Sequence, residues 1–218
     1  MSGAPAPRGL FISLEGIDGS GKSTQARLLA EALRAAGRDP VLTREPGGSP
    51  GAEEIRHLLL KGDTGRWSAE TECLLFTAAR RDHVERTIAP ALEAGRPVIT
   101  DRFADSTRVY QGTTRGDLRE MVDALHASAI RLEPDLTLVI DMDPARAHAR
   151  AHAREEASAG AETRFEAFGL PFQQVLREGF RALAQQFPER CLLIDGDRAP
   201  EKVAEDIAAL VLQRLAQQ

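Results

Sequence analysis

Cysteine, lysine and long apolar runs are scarce in this sequence of 218 residues. The two cysteines, Cys73 and Cys191, have neither metal-binding spacing nor the number needed for a disulfide framework, so a cytoplasmic protein is expected. No apolar run has the length of a membrane span, and residues 1–8 lack the apolar stretch of a signal peptide. The formal net charge of −5 argues against a general nucleic-acid-binding protein, which needs positive charge to neutralise phosphates. We therefore expect neither a membrane nor a nucleic acid as partner.

What is present is the composition of a soluble globular protein, with 42% hydrophobic and 28% charged residues. Short apolar runs alternate with segments of helical periodicity. The strands are predicted at 10–15, 40–44, 97–101, 136–141 and 191–195. The helices are predicted at 22–36, 51–61, 68–94, 104–131, 144–155, 171–187 and 200–216. Strands separated by helices predict an α/β fold with a mainly parallel sheet that helices cover on both faces.

A glycine-rich segment separates the first predicted strand from the first predicted helix. Its nine residues are Gly16, Ile17, Asp18, Gly19, Ser20, Gly21, Lys22, Ser23 and Thr24. They fit the phosphate-loop pattern G-x-x-x-x-G-K-[ST], in which backbone N–H groups and a helix N-terminus bind phosphate. Lys22 would neutralise the β- and γ-phosphates of a nucleoside triphosphate, and the Ser23 hydroxyl would bind Mg²⁺. The chain has only three lysines, so a lysine here is not a by-product of composition.

Charged residues also stand at the ends of two other predicted strands. Asp101 and Arg102 close the strand at 97–101, and the carboxyl ends of strands line the ligand crevice of an open α/β sheet. Asp101 would hold a water on Mg²⁺ opposite Ser23, and Arg102 would form a fork with a phosphate. The alternative is that Asp101 and Arg102 form an ion pair that only stabilises a loop. After the strand at 40–44, Pro-Gly-Gly forces a turn, but a turn alone would not require Glu45 beside it.

Two helical segments carry candidate ligand-binding side chains. Phe76 and Arg80 are spaced i, i+4 on one helix face, where an aromatic ring and a guanidinium could stack on a nucleobase and hydrogen-bond its edge. A core phenylalanine and a surface arginine would produce the same pattern. One helical turn brings three further residues close enough to line one wall of a pocket: Thr107, Tyr110 and Gln111. Any one of them could instead have no role in binding.

Taken together, these motifs closely resemble those of bacterial thymidylate kinases, which phosphorylate dTMP with ATP. The resemblance runs from Gly9 to the C-terminal helix. It implies a P-loop NTPase fold of the nucleoside monophosphate kinase type, with a five-stranded parallel sheet flanked by helices. It also implies a flexible tail at 1–8, a single kinase domain at 9–218 with a short lid at about 150–166, and a homodimer.

The resemblance also implies an acceptor site for dTMP. Its residues would be Asp18, Glu45, Arg56, Phe76, Arg80, Arg102, Thr107, Tyr110 and Gln111. Phe76 would stack on thymine, Arg80 and Thr107 would hydrogen-bond the base, and Gln111 would contact it from the far wall. Tyr110 would pack under the sugar C2′, where a ribose hydroxyl would collide.

The dTMP phosphate would be held by Arg56 and Arg102 in the same comparison. Asp18 and Glu45 would lie near the sugar 3′-hydroxyl and the transferring group. Phe103 departs from the family pattern, because relatives often have Tyr or His after Asp-Arg, and the phenylalanine removes a polar atom.

The inner positions of the phosphate loop, residues 17–20, contain no arginine, unlike those of some relatives. The arginine that neutralises the transferred group would then come from the lid, the polar segment at 154–164. Arg150, Arg154 and Arg164 are the candidates, and Arg154 and Arg164 are favoured because they flank the segment expected to be mobile.

The nucleophile would be a phosphate oxygen of dTMP, which is already anionic, so no general base is required. Lys22, Mg²⁺, Arg102 and a lid arginine would surround the transferred group. One alternative is another P-loop kinase that acts on a different nucleotide or on a nucleoside; a nucleoside kinase would need Glu15 or Glu45 as base to activate a hydroxyl. A non-enzymatic alternative is an ATP-binding dimeric switch, which would bind nucleotide without transferring phosphate.

Overall fold

The structure, a computed structural model, describes residues 8–62, 65–114, 116–156 and 169–217, except for the side chains of residues 113, 114, 152 and 154–156. It contains five strands: β1 (Phe11–Glu15), β2 (Val41–Arg44), β3 (Val98–Asp101), β4 (Leu136–Asp141) and β5 (Cys191–Asp195). They form one sheet in the order β2-β3-β1-β4-β5, and each neighbouring pair is parallel. The predicted five-stranded parallel sheet is confirmed.

Helices connect the strands. They are α1 (Lys22–Ala35), α2 (Pro50–Leu60), α3 (Ala69–His83), α4 (Ala89–Glu93), α5 (Ala104–Thr114), α6 (Arg119–Leu125), α7 (Pro144–Glu156), α8 (Gly169–Gln186) and α9 (Pro200–Leu215). A π-helical turn, Val84–Ile88, joins α3 to α4, and a second one, His126–Ile130, extends α6. The ends predicted from sequence differ from these by one or two residues at most elements.

The prediction of one helix over 104–131 is wrong, because α5 and α6 are separate. Gly116 has a φ of 104° and Asp117 a φ of 55°, and this left-handed backbone cannot continue a right-handed helix. The interruption turns the chain between the two helices. As a result α6 packs back against α5 instead of extending it.

Strand β1 is buried over its whole length, as expected for the centre of a parallel sheet. Its residues alternate between two layers: Ile12 and Leu14 pack with α1 and α9, whereas Phe11 packs with the chain around Ile88 and Phe103. A third apolar cluster joins α5, α7 and α8 to β4. These layers hold the carboxyl ends of β1, β3 and β4 side by side.

Residues 1–7 of the predicted tail, and most of the predicted lid at 150–166, lie outside the described residues. Arg8, at the end of that tail, pairs with Asp135 at 2.6 Å. The division into tail, single domain and lid stays a prediction. In the described part of the chain, no helix combines the length and apolar character needed to span a bilayer.

Candidate active site

The phosphate loop connects the buried strand β1 to the first turn of α1. Gly21 has a φ of 102°, a conformation that glycine adopts without strain, and Lys22 opens the helix directly after it. At Gly19, an added Cβ would lie 1.9 Å from the Ala147 carbonyl oxygen of α7. The loop can therefore take this path, with α7 packed against it, only with glycine at residue 19.

Lys22 is buried beneath the loop. Its Nζ donates a hydrogen bond of 2.8 Å to the Ile17 carbonyl and lies 3.9 Å from the Asp18 carboxylate. Burial, followed by the positive charge of Arg102, lowers the pKa of Lys22 to about 8. An anionic phosphate in the loop would favour the charged ammonium, so this lysine has the placement and electrostatics of a phosphate ligand.

Ser23 and Asp101 meet at the end of β3, where the Ser23 hydroxyl donates to Asp101 Oδ2. Asp101 is in register with Leu14 of β1 and Arg44 of β2, so it lies at the carboxyl edge of the sheet. Within the described ranges, no three His, Cys, Asp or Glu side chains are grouped to bind a metal by themselves. A hydroxyl and a carboxylate instead fit Mg²⁺, which often takes few protein ligands and completes its shell with phosphate and water.

A cavity of about 350 Å³ adjoins the loop on the side of α9. Its lining consists of Gly19, Ser20, Gly21, Thr24, Gln25, Ile140, Arg150, Gly196, Arg198, Pro200 and Val203. The Gln25 amide nitrogen donates to the Pro200 carbonyl at 2.9 Å. The volume is at the lower end of small-molecule sites, and the position suits the nucleoside part of a nucleotide bound in the loop.

Arg102 is the centre of a second cluster. Its guanidinium donates to the Gly16 carbonyl at 3.2 Å, Ser106 Oγ at 2.9 Å and the Tyr110 hydroxyl at 3.1 Å, and it forms an ion pair with Asp18. Burial alone would raise the pKa of Asp18, but the charges of Arg102 and Lys22 outweigh it and lower the pKa to about 2. The Tyr110 hydroxyl donates to the other Asp18 oxygen at 3.0 Å.

The backbone of Arg102 has a φ of 72°, a left-handed conformation that is uncommon for any residue with a side chain. The neighbouring Glu15, at the end of β1, is completely buried. Burial, followed by the charge of Asp105, raises the pKa of Glu15 to about 7 although three hydrogen bonds reach its carboxylate.

Arg80 extends from α3 and reaches two predicted site residues. Its Nε donates to Glu45 Oε2 at 2.7 Å, and one terminal nitrogen donates to Thr107 Oγ1 at 3.0 Å. The other Glu45 oxygen contacts His83 Nδ1 at 3.1 Å, and His83 Nε2 contacts Thr43 Oγ1 at 2.7 Å. Glu45 therefore fixes the orientation of the Arg80 guanidinium, and its predicted place near the sugar stays a prediction.

The remaining acceptor residues surround this group. Phe76 is half-buried and lies one turn before Arg80 on α3. Gln111 is buried and its amide nitrogen donates to Glu72 Oε2 at 3.2 Å. Arg56 extends from α2 and donates to the Pro46 carbonyl at 2.5 Å, next to a cis peptide bond between Glu45 and Pro46.

Phe103, the departure noted in the sequence, is fully buried. Its ring meets Phe11 edge-on at 4.9 Å between centroids, and the Arg80 guanidinium lies over it at 5.1 Å. A phenylalanine at this position thus belongs to the core behind Arg80, and it supports the guanidinium through a cation–π contact.

The structure brings the loop residues, Asp101, Arg102 and the residues around Arg80 to one edge of the sheet. Arg150 lines the cavity and donates to Met142 Sδ at 3.4 Å. The side chain of Arg154 and all of Arg164 lie outside the described residues, so their catalytic role stays a prediction.

Three buried residues that contact the site were missed from the sequence: Glu72, His83 and Ser106. His83 follows Arg80 by three residues, so helical spacing could have placed it on the same face. Ser106 lies beside Thr107, but only the hydrogen bond that its Oγ accepts from Arg102 shows its connection with the site. Glu72 carries no comparable signal.

The comparisons with known proteins agree with this geometry. The family model described as thymidylate kinase matches residues 14–207. The chain is 65% identical over 208 residues to a thymidylate kinase of Jannaschia sp. strain CCS1, covering 95% of this chain and 98% of the relative. It is 67% identical over 201 residues to a thymidylate kinase of Dinoroseobacter shibae, covering 92% and 95%.

A solved structure is also similar. The crystal structure of thymidylate kinase from Ehrlichia chaffeensis matches with a TM-score of 0.73 and 36% identity, covering 94% of this chain and 99% of that one. Fold, site geometry and sequence similarity lead to the same conclusion: the chain belongs to the thymidylate kinase family.

Proposed function

We propose that this protein transfers the γ-phosphoryl group of ATP to dTMP and so forms dTDP, a step of dTTP synthesis. The observation that carries the proposal is the placement of two sites at one sheet edge. The phosphate loop with Lys22 would form the donor site, and Arg102 pairs with Asp18 of this loop. Phe103, the residue after Arg102, lies under the Arg80 guanidinium, which also donates to Thr107. Relatives at 65% identity and above are named thymidylate kinases.

The donor ATP would place its phosphates in the loop and its nucleoside in the adjoining cavity, where Gln25, Arg150 and Arg198 are available to it. Mg²⁺ would be held by Ser23, directly, and by Asp101, through a water. When bound, Mg²⁺ would neutralise charge on the donor phosphates. Lys22 would contact the β- and γ-phosphates from below, because its ammonium already lies inside the loop.

On the acceptor side, Phe76 would stack on thymine while Arg80 and Thr107 hydrogen-bond its edge. Support comes from the ion pair with Glu45, which holds Arg80 in one orientation. Thymine and uracil differ by one methyl group, worth about 1–3 kcal/mol in a fitted pocket, so dUMP should be a poor substrate. Cytosine and purine nucleotides should fail, because their edges mismatch these two side chains.

The reaction needs no general base, because the attacking phosphate oxygen is anionic at neutral pH. The chain's contribution is positioning and charge neutralisation. Arg102 and Arg56 would hold the dTMP phosphate, with Asp18 and Glu45 near the sugar and the transferring group. Arg154 and Arg164 would supply positive charge from the lid in place of a loop arginine.

We also infer a homodimer. Leu58 on α2 and Leu74 on α3 are 42% and 52% exposed, and these two helices pack against each other. Two large apolar side chains exposed on adjacent helices favour burial against a second copy of the chain.

A panel of acceptors tests the function. The purified protein is incubated with ATP, Mg²⁺ and one of dTMP, dUMP, dCMP, dGMP, UMP or thymidine, and formation of the phosphorylated acceptor is measured. We expect dTMP to have the highest kcat/KM, with dUMP about 10- to 200-fold lower. Thymidine as the best acceptor would favour a nucleoside kinase, and nucleotide binding without any product would favour an ATP-binding switch; either result would overturn the proposal.

A further inference from the structure

The backbone at Arg102 is held in its left-handed conformation by hydrogen bonds on both sides of the residue. The Arg102 amide donates to the Leu14 carbonyl at 2.9 Å, and Thr100 Oγ1 donates to the Arg102 carbonyl at 2.8 Å. The next amide, that of Phe103, donates to Glu15 Oε1 at 2.7 Å. A conformation of this kind persists only where its surroundings determine it, and Glu15 supplies the only side-chain acceptor among these bonds.

The second oxygen of Glu15 reaches the Arg102 side chain through Ser106. Ser106 Oγ donates to Glu15 Oε2 at 2.6 Å, and Arg102 NH1 donates to Ser106 Oγ at 2.9 Å. A hydroxyl has one proton, and because Glu15 accepts it, a lone pair of Ser106 is left to accept from Arg102. The carboxylate therefore sets the direction of the whole hydrogen-bond chain.

From this geometry we infer that Glu15 is a positioning residue for Arg102, which it holds both at the backbone, through Phe103 N–H, and at the guanidinium, through Ser106. The inference rests on the proposed function, in which Arg102 holds the phosphate of dTMP. Glu15 is 0% exposed, so it acts through Arg102 and does not touch the substrate.

Replacing the Glu15 carboxylate with an amide keeps the shape of the side chain but changes the hydrogen bonds that it can make. In Glu15→Gln, the oxygen can still accept from Phe103 N–H, but the NH₂ group faces Ser106 and cannot accept its proton. The Ser106 hydroxyl loses its acceptor, and the hydrogen bond to Arg102 is no longer directed. Small misplacements of a positioning group can cost about 100-fold in rate, so we expect kcat to fall by about 10- to 100-fold with the KM for ATP unchanged.

The deciding experiment is a double-mutant cycle on dTMP phosphorylation at about pH 8, where most of the Glu15 carboxyl is ionised. Single-turnover rates are compared for wild type, Glu15→Gln, Arg102→Ala and the double variant. If Glu15 acts through Arg102, Glu15→Gln lowers the rate in the wild-type background but by less than about twofold in the Arg102→Ala background. An equal factor in both backgrounds, or no effect in wild type, would overturn the inference.

Two further variants control for folding and for the loss of any hydrogen bond to Glu15. Ser13 Oγ donates to Glu15 at 2.9 Å but lies outside the chain to Arg102, so Ser13→Ala should leave the rate within about twofold of wild type. Ser106→Ala breaks the chain at its hydroxyl and should show the same dependence on Arg102; it replaces Glu15→Gln if that variant does not fold. A wild-type protein inactive on dTMP would overturn the proposed function together with this inference, whereas an active wild type with independent effects overturns the inference alone.

Discussion

Glu45 holds the Arg80 guanidinium through an Nε–Oε2 distance of 2.7 Å, and both side chains are only 4% exposed. Removing the carboxylate would leave a buried guanidinium without its counter-charge, which typically costs about 3–5 kcal/mol. We therefore expect Glu45→Ala to lower the free energy of unfolding by that amount and to raise the KM for dTMP more than the KM for ATP. Urea unfolding and steady-state kinetics measure the two effects.

The matched control is an exposed pair, Arg27 and Glu31, at 2.7 Å on α1. Glu31→Ala should cost no more than about 1 kcal/mol and leave both KM values unchanged, since exposed ion pairs contribute little. Similar losses of stability for the two variants would show that the buried Glu45–Arg80 pair contributes no more to stability than an exposed ion pair.

Substitution of Arg102 tests both its side chain and its backbone. Arg102→Ala and Arg102→Gly remove the same guanidinium, and each should lower kcat by about 10³-fold or more. At a φ of 72° the alanine is strained and the glycine is not, so Arg102→Gly should be more stable by about 1 kcal/mol. Paired chemical denaturation curves decide this, and an alanine variant of equal or higher stability would contradict it.

Glu15 should make the protein less stable as the pH rises through the acidic range. Its pKa is about 7 in the folded chain against an ordinary value of 4.5, so between these pH values the folded state binds more protons than the unfolded state. The contribution of Glu15 to the free energy of unfolding is present below about pH 4.5 and lost by about pH 7. A pKa shift of this size is worth about 3 kcal/mol.

Urea unfolding of wild type and Glu15→Gln at the two ends of this range measures that contribution. The stability difference between wild type and variant should change by about 3 kcal/mol, while titration of the histidines cancels because both proteins contain them. A difference that does not depend on pH would show that Glu15 keeps an ordinary pKa.

Tyr110 allows a test of sugar selection. Its ring packs against Phe172 and Phe180, with centroid distances of 6.1 and 6.5 Å, and its hydroxyl bonds Asp18. If the ring excludes a ribose hydroxyl, Tyr110→Leu should reduce the preference for dUMP over UMP by about tenfold or more, whereas Tyr110→Phe should keep it. Measured kcat/KM ratios for the two nucleotides decide between them, and loss of the preference in Tyr110→Phe would assign selection to the hydroxyl.

The proposed dimer can be tested at the surface of α2 and α3. The double variant Leu58→Asp and Leu74→Asp should shift the mass found by light scattering from dimer toward monomer, because charge is placed in an apolar contact. Val175 on α8 is 48% exposed and provides the control: Val175→Asp should leave the mass unchanged. A wild-type protein that is monomeric at micromolar concentration would refute the proposal directly.

Much of this site follows from local sequence. The buried run of β1, the glycines and Lys22 define the donor loop, and the rule that ligands bind at strand ends leads to Asp101 and Arg102. The connection of Glu45 to Arg80 does not follow, because it depends on how α3 packs beside β2, and the partners are 35 positions apart in the sequence. The break between α5 and α6 was missed for a different reason, since the left-handed backbone of an aspartate is a weak sequence signal.

Gly19 places the backbone of the phosphate loop directly against the backbone of α7, with no side chain between them. A shift of the loop toward α7 when a nucleotide arrives would therefore displace the first turns of α7, the helix that carries Arg150 into the cavity. Occupancy of the donor site and the placement of this helix are thus linked at this backbone contact. A substitution of Gly19 would change both at once, so neither can be altered at that position without the other.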